Sequence, residues 1–259
     1  LNFLRLLVLT VFLCMHAFGK ASCEVANNVE KVVVAGGSLT EIMYFLDLED
    51  KIVGLDITSS YPEAAKSLPS IGYVRALSTE GVISLAPSLV IGEDDMGPPN
   101  VIKQIKQAEI DIRIFPEKHS STGIKDKILC MGEIFSISKI SAKKIENELN
   151  PIIRQLSLIK EKNLNSTKKI LLILSMQGTS PIVAGQETPG DGFIKMTGSI
   201  NAMQSFKGWK PVSPESIILA NPDYILITSR GMRNFSSIKE LIRQPALVLT
   251  DAAKNAKVI

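Results

Sequence analysis

The sequence predicts an α/β protein of two lobes, each with a mainly parallel central sheet, joined by a long connecting helix. Three observations lead to this. Short apolar runs alternate with helical stretches, five landmarks recur in the same order in both halves, and a polar stretch of helical periodicity separates the halves. At 259 residues the chain is long enough to bury two such cores.

Val32-Val33-Val34-Ala35 is a β-branched run ending in Gly36-Gly37 and predicts the first strand. Ser38 stands where an N-cap belongs, with Glu41 three residues on. This capping-box pattern predicts a helix to about Leu46. Residues 52–55, 89–91 and 112–115 predict further strands, with a helix over 100–108 before the last. In residues 141–162, Ile145, Leu149, Ile152, Ile153, Leu156 and Ile159 recur at helical spacing, and Pro151 predicts a kink or break. Residues 163–166 read as a turn, and residues 170–174 as a buried strand opening the second half.

In the first half Gly72-Tyr73 is followed by Ser78-Thr79-Glu80, Val82-Ile83, Pro87 and a strand. In the second, Gly208-Trp209 is followed by Ser213-Pro214-Glu215, Ile217-Ile218, Pro222 and a strand. Glu80 to Glu215 and Pro87 to Pro222 share one offset, which points to a duplicated lobe. Ligands of open parallel sheets sit beyond the carboxyl ends of the strands. Tyr73 and Trp209 are therefore expected to approach one interlobe cleft.

Arg5, the apolar run 6–15 and the small residues Ala17, Gly19, Ala21 and Ser22 have the pattern of a cleaved signal peptide. The expected organisation is a leader over 1–23, an N-terminal lobe over 27–138, a connecting helix over 139–164 and a C-terminal lobe over 165–259. The mature chain is expected to begin between Lys20 and Ala26, in the periplasm. An uncleaved anchor is the alternative. A lipid anchor on Cys23 is disfavoured by Lys20, which stands where an aliphatic residue is wanted.

Composition excludes several functions. Cys14 leaves with the leader, and Cys23 and Cys130 lack metal-type spacing, so the chain is not a disulfide scaffold. His16 and His119 are the two histidines, which excludes a multi-histidine metal site and leaves no convincing Ser/His/Asp constellation. Gly36-Gly37-Ser38 lacks the G-x-G-x-x-G pattern of a phosphate loop. The chain is expected not to be an enzyme. No stretch concentrates Lys and Arg among aromatics, so no nucleic-acid partner is expected.

The runs AGGSLTEIMYFL, GLDITSSYPEAAKSLPSIGYVRALSTEGVISLAPSLVIG and GSINAMQSFKGWKPVSPESIILANPDYILIT resemble the periplasmic haem-binding proteins of bacterial ABC transporters. These belong to the helical-backbone class of substrate-binding proteins, with the vitamin B12 and siderophore binders. The resemblance covers nearly the whole mature chain. It implies two Rossmann-like lobes, a rigid connecting helix, and haem carried as transported ligand rather than resident cofactor.

It also implies roles for particular residues. Tyr73 matches the axial iron ligand. A phenolate is a hard anionic donor that favours ferric iron, and a free phenol titrates near ~10, so a nearby cation would assist loss of its proton. Arg75, two residues on, would hydrogen-bond the phenolate or a haem propionate, or be a solvated surface charge. Met176 stands where certain relatives carry a histidine. It would pack on the porphyrin or in the core, and with Gln177 it joins the haem-contacting candidates. The missing histidine implies one haem. Arg230 and Arg233 are candidates for the propionates, since arginine's planar fork suits carboxylates. Trp209 would stack on the porphyrin or fill its lobe. Glu80 and Glu215 match the glutamates that dock on arginines of a dimeric permease at the inner membrane. The implied partners are haem, that permease and an outer-membrane haem receptor upstream, with the protein itself a monomer. A ferric siderophore or a corrinoid is the alternative ligand. Family members continue beyond residues 256–259, which read as the start of a strand, so the C-terminal lobe is expected to be cut short.

Overall fold

The computed structural model describes residues 23–163, 165, 167–177 and 180–259. The leader up to residue 22 lies outside the described residues, as do Leu164 and Ser166 of the expected turn, and Gly178 and Thr179. Two compact units are present. One takes the described residues up to Glu117 together with Lys127–Ser141. The other takes Lys118–Asp126 and Ala142–Ile259.

The first unit runs β1 (Val32–Ala35), α1 (Gly37–Phe45), β2 (Ile52–Leu55), the hairpin β3 (Gly72–Tyr73) and β4 (Ala76–Leu77), α2 (Thr79–Ile83), β5 (Leu89–Glu93), α3 (Pro99–Gln107) and β6 (Asp111–Phe115). It also takes the end of α4 (Ser121–Ile134) and the start of α5 (Ser138–Lys144). Its main sheet has the order β2-β1-β5-β6, and every pairing is parallel. β1 and β5 are buried at every position, as expected of central parallel strands covered on both faces. The chain leaves β1 for β2 on one side and returns to β5 on the other. The strand order therefore reverses between β1 and β5, and loops diverge there beyond the carboxyl ends to leave a crevice.

The capping box at Ser38 does not form. α1 begins at Gly37 behind Gly36, and no side chain caps it. The Ser38 hydroxyl instead donates to Glu93 Oε1 and accepts from Lys127 Nζ at 3.0 Å. A buried carboxylate and ammonium outcompete the helix end for it, because charged partners make the stronger hydrogen bonds.

Cys23 and Cys130 form a disulfide that tethers the start of the described chain to α4 across 107 positions. Next to it the Ala26 N–H donates to the Ile134 carbonyl at 3.1 Å. Sequence spacing had assigned this pair no role, because the two cysteines meet only in the folded unit. A cross-link over so long a loop restricts the unfolded chain strongly. Replacing both cysteines with serine is expected to lower stability by about 2–4 kcal/mol. A denaturant midpoint unchanged by the double substitution would refute this.

In the second unit α5 continues through a π turn, Ile145–Leu149, into α6 (Asn150–Lys162). The irregularity directly precedes Pro151, which has no N–H to give and whose ring crowds the preceding turn. The stretch is thus a helix with an altered turn rather than a break.

Next come β7 (Lys169–Gln177), β8 (Ser180–Ala184), α7 (Pro189–Met196), β9 (Ile200–Asn201), β10 (Trp209–Pro211), α8 (Pro214–Ala220), β11 (Tyr224–Ile227), α9 (Ser229–Met232), α10 (Ile238–Leu241) and α11 (Asp251–Lys254). The sheet order is β10-β8-β7-β11, with β9 beside the start of β7. β11 and β9 run parallel to β7, while β8 is antiparallel to β7 and to β10. This sheet is therefore mixed. β7 extends three residues beyond the predicted strand end at 174 and turns back along β8. Residues 257–259 extend the other edge. Ile225 N–H donates to the Lys257 carbonyl and Ile259 N–H to the Ile225 carbonyl, at 3.0 and 2.9 Å.

Each unit, taken by itself, carries the same local pieces. Gly72 and Gly208 both have positive φ, 98° and 80°, which favours glycine at each turn into its aromatic residue. Ser78 Oγ accepts from Gly81 N–H and Ser213 Oγ from Ser216 N–H, so α2 and α8 are capped alike. Ala86 and Asn221, each just before a proline, adopt left-handed φ of 46° and 42°.

Candidate functional site

The crevice end of the first sheet is organised around two buried acids. Asp56, following β2, accepts from Gly36 N–H at 2.9 Å, Thr58 N–H at 2.8 Å and the Ser59 hydroxyl at 2.8 Å. Glu93, closing β5, pairs with Lys127 at 2.5 Å, their side chains 10% and 9% exposed. Gly36 lies between these acids with φ 139°, and a Cβ there would come within 3.0 Å of Glu93 Oε2. A side chain at 36 would therefore strain the backbone and crowd the ion pair.

The hairpin β3–β4 lies beside this floor. Its Gly72 carbonyl accepts from Ile57 N–H at 2.9 Å, and Gly97 bonds both Val74 and Leu77 through its backbone, each at 2.9 Å. Tyr73 is 38% exposed. Arg75, one side chain further along the same face, donates from Nη1 to the Tyr73 hydroxyl at 3.1 Å. The Arg75 Nε and Nη2 both bond Asp95 Oδ2, at 2.8 and 2.7 Å. Burial works against the Arg75 charge, but the fields of Asp95, Tyr73 and Glu117 outweigh it and hold the guanidinium above its usual range.

Glu117 follows β6, and its N–H donates to Asp94 Oδ2 at 3.2 Å. Burial, and then repulsion from Glu93, Asp95 and Asp94, raise its carboxyl to about 7, with Lys127 opposing. The folded protein thus holds this proton more tightly than the unfolded chain does. The resulting cost to stability is fully present above about pH 7 and disappears as pH falls below the usual glutamate range. After allowance for solvent screening, Glu117→Gln is expected to stabilise by about 1 kcal/mol at pH 8, roughly 2–4 °C in Tm. At pH 5 it should gain little. Equal gains at both pH values, read by thermal melts, would contradict this assignment.

The second unit holds the other candidates. Met176 and Gln177 lie on β7, paired with Pro181 and Ser180, rather than in a loop after the strand. Met176 packs against its unit's core and Gln177 is exposed. Trp209 pairs with Ala184, several residues back from that strand end, and a Cβ on Gly190 would meet its ring at 3.1 Å. The tryptophan therefore packs on α7 within its own unit. Arg230 and Arg233 are exposed, in and just after α9, and make no ion pair among the described residues. α9 packs on the ends of β7 and β11, where Thr228 donates to the Leu174 carbonyl and caps α9 through Gly231 N–H. Glu80 and Glu215 are exposed in the first turns of α2 and α8. The Glu215 carboxyl is lowered by its own backbone N–H and by Ser213.

Sequence reasoning brought Tyr73 and Arg75 together and missed three features. Asp95 pairs with Arg75 from 20 positions away. Lys127 and Glu93 meet across 34 positions. Ile57 and Tyr61, in the loop after β2, are 63% and 68% exposed on the chain that bonds the Tyr73 hairpin. Large apolar side chains in a loop between a strand and the glycine–aromatic pair were the available signal for the last two.

Charged and polar side chains gathered beyond the ends of a parallel sheet, at its reversal of strand order, occupy the place where open α/β proteins hold ligands. The chain matches the periplasmic binding protein family over residues 32–259 and belongs to it. That family consists of transport components that bind a ligand without transforming it.

Among solved structures, the chain is similar to the periplasmic haem-binding protein RhuT from Roseiflexus sp. RS-1. Identity is 30% and the TM-score 0.79, over 90% of this chain and 89% of that one. It is also similar to the periplasmic haem-binding protein BhuT, solved with two haems, with 31% identity and a TM-score of 0.73 over 88% of each chain. Among curated relatives, the vitamin B12-binding protein of Vibrio parahaemolyticus is 27% identical over 212 residues, 81% of this chain and 74% of that protein. The chain spans only 65% of the length of another curated relative.

Proposed function

We propose that this protein captures ferric haem outside the cytoplasm and delivers it to an ABC transporter permease, with the Tyr73 phenolate as iron ligand. The observation that carries the reading is an exposed Tyr73 whose hydroxyl receives a hydrogen bond from Arg75 beside a topological switch point. A phenol oxygen is a hard donor that suits ferric iron, and the Arg75 hydrogen bond fixes where that oxygen points. Exposed Ile57 and Tyr61 offer apolar surface on the adjoining loop for a flat macrocycle. The haem-binding neighbours at about 30% identity point the same way. One haem is expected, because Met176 is drawn into its own core and a thioether suits reduced iron better.

The Cys23–Cys130 disulfide supports an oxidising compartment, and on this reading Cys23 belongs to the mature chain. It also uses the sulfur that a lipid anchor would need. Glu80 and Glu215, held alike on α2 and α8, are proposed to meet paired arginines of the permease.

A corrinoid is the second reading, favoured by the vitamin B12-binding relatives. Titrating the purified protein separately with hemin and with cobalamin separates the two. A ferric–phenolate spectrum with hemin that disappears in Tyr73→Phe supports haem. Tight cobalamin binding indifferent to Tyr73 supports the corrinoid.

A further inference from the structure

We propose that Asp95 is a positioning residue for the haem iron, holding Arg75 so that its guanidinium donates to the Tyr73 oxygen. The inference rests on the reading of Tyr73 as iron ligand. The Arg75 side chain is 55% exposed, so packing alone does not orient it. Fixing a free arginine opposes the rotamer entropy of a long, flexible side chain. Asp95 supplies the restraint by taking Nε and Nη2 on a single oxygen, Oδ2, which leaves Nη1 directed at Tyr73.

The Asp95 carboxylate is itself held. Its side chain is 25% exposed, and the next loop residue but one, Gly97, bonds the hairpin on both sides of Arg75, at Val74 and Leu77. The loop and the hairpin therefore move as one piece. Asp95 Oδ1 is buried and accepts no hydrogen bond among the described residues. This is consistent with a carboxylate placed to aim the guanidinium rather than to satisfy itself.

Two physical roles for Asp95 make opposite predictions. If its charge merely offsets that of Arg75, Asp95→Asn strengthens the cation beside the phenolate and slows haem loss. If it positions Arg75, the same change frees the guanidinium and speeds haem loss. We expect the second outcome. Hemin transfer from the full chain to apomyoglobin should run about 10- to 100-fold faster in Asp95→Asn, the range for loss of an outer partner of a metal ligand. Asp95→Glu should recover part of that loss. In an Arg75→Ala background Asp95→Asn should add nothing, because the two residues act as one unit. Without haem, the Arg75 Nε–H resonance should be protected from solvent exchange in the wild type and lose that protection in Asp95→Asn. An unchanged or slower transfer rate, or an equal effect in the Arg75→Ala background, overturns the proposal. If Tyr73→Phe binds hemin as the wild type does, the haem reading itself fails. If Tyr73→Phe loses the iron bond while Asp95→Asn behaves as wild type, only the role of Asp95 fails.

Discussion

Tyr73→Phe is expected to weaken hemin binding by at least about 100-fold and to remove the ferric–phenolate absorption. Loss of an outer partner of a metal ligand typically costs 10- to 100-fold, so loss of the ligand atom itself should exceed that range. The substitution removes one oxygen and keeps the ring. Tyr73 is 38% exposed on a two-residue strand, so little of the fold depends on its hydroxyl. A thermal midpoint within a degree or two of wild type would separate loss of ligation from loss of structure. Arg75→Ala should give an intermediate result. The tyrosine oxygen remains but loses the guanidinium that donates to it at 3.1 Å. Equal hemin affinity for wild type and Tyr73→Phe in the same titration would remove the iron–phenolate bond from the account.

Lys127→Met is expected to destabilise the protein by about 3–5 kcal/mol, the usual consequence of stranding one member of a buried ion pair. Lys127 touches both Glu93 and the Ser38 hydroxyl. Its removal leaves a nearly buried carboxylate unpaired, against Gly36 and at the reversal of strand order. Replacing both members, Lys127→Met with Glu93→Leu, should recover most of the loss, since apolar groups of similar volume often match a buried pair in stability. Urea midpoints for the two single variants and the double variant give the coupling directly. Additive losses would show that the pair does not act as a unit. The double variant is also informative about function. A fold of normal stability that nonetheless releases hemin faster would indicate that the pair holds the β1 and β5 loops in register for the ligand.

The local signals were strong where one stretch of chain decides the outcome. Gly72 and Gly208 need positive φ, Ser78 and Ser213 cap the helices that follow them, and Pro87 and Pro222 follow left-handed residues. These requirements act within a few residues, so the duplication and the alternation of strands and helices could be read directly. Tyr73 and Arg75 belong to the same class, because alternate residues of an extended segment share a face.

Other features depended on partners far along the chain. Ser38 has every local property of a cap, yet Glu93 and Lys127, 55 and 89 positions away, take its hydroxyl. Met176 looked like a loop residue until β8 paired with β7 and extended the strand through it. Cys23 and Cys130 carry no spacing signal and meet only because the folded first unit brings the start of the chain against α4. Asp95 reaches Arg75 only after the hairpin docks on the loop that follows β5. Sequence alone determined the paired turns, the first-unit strands and the alternation of strands and helices, because backbone preference is a short-range property. Tertiary structure decided which charges and sulfurs met, because hydrogen bonds and disulfides form between neighbours in space, whatever their separation along the chain.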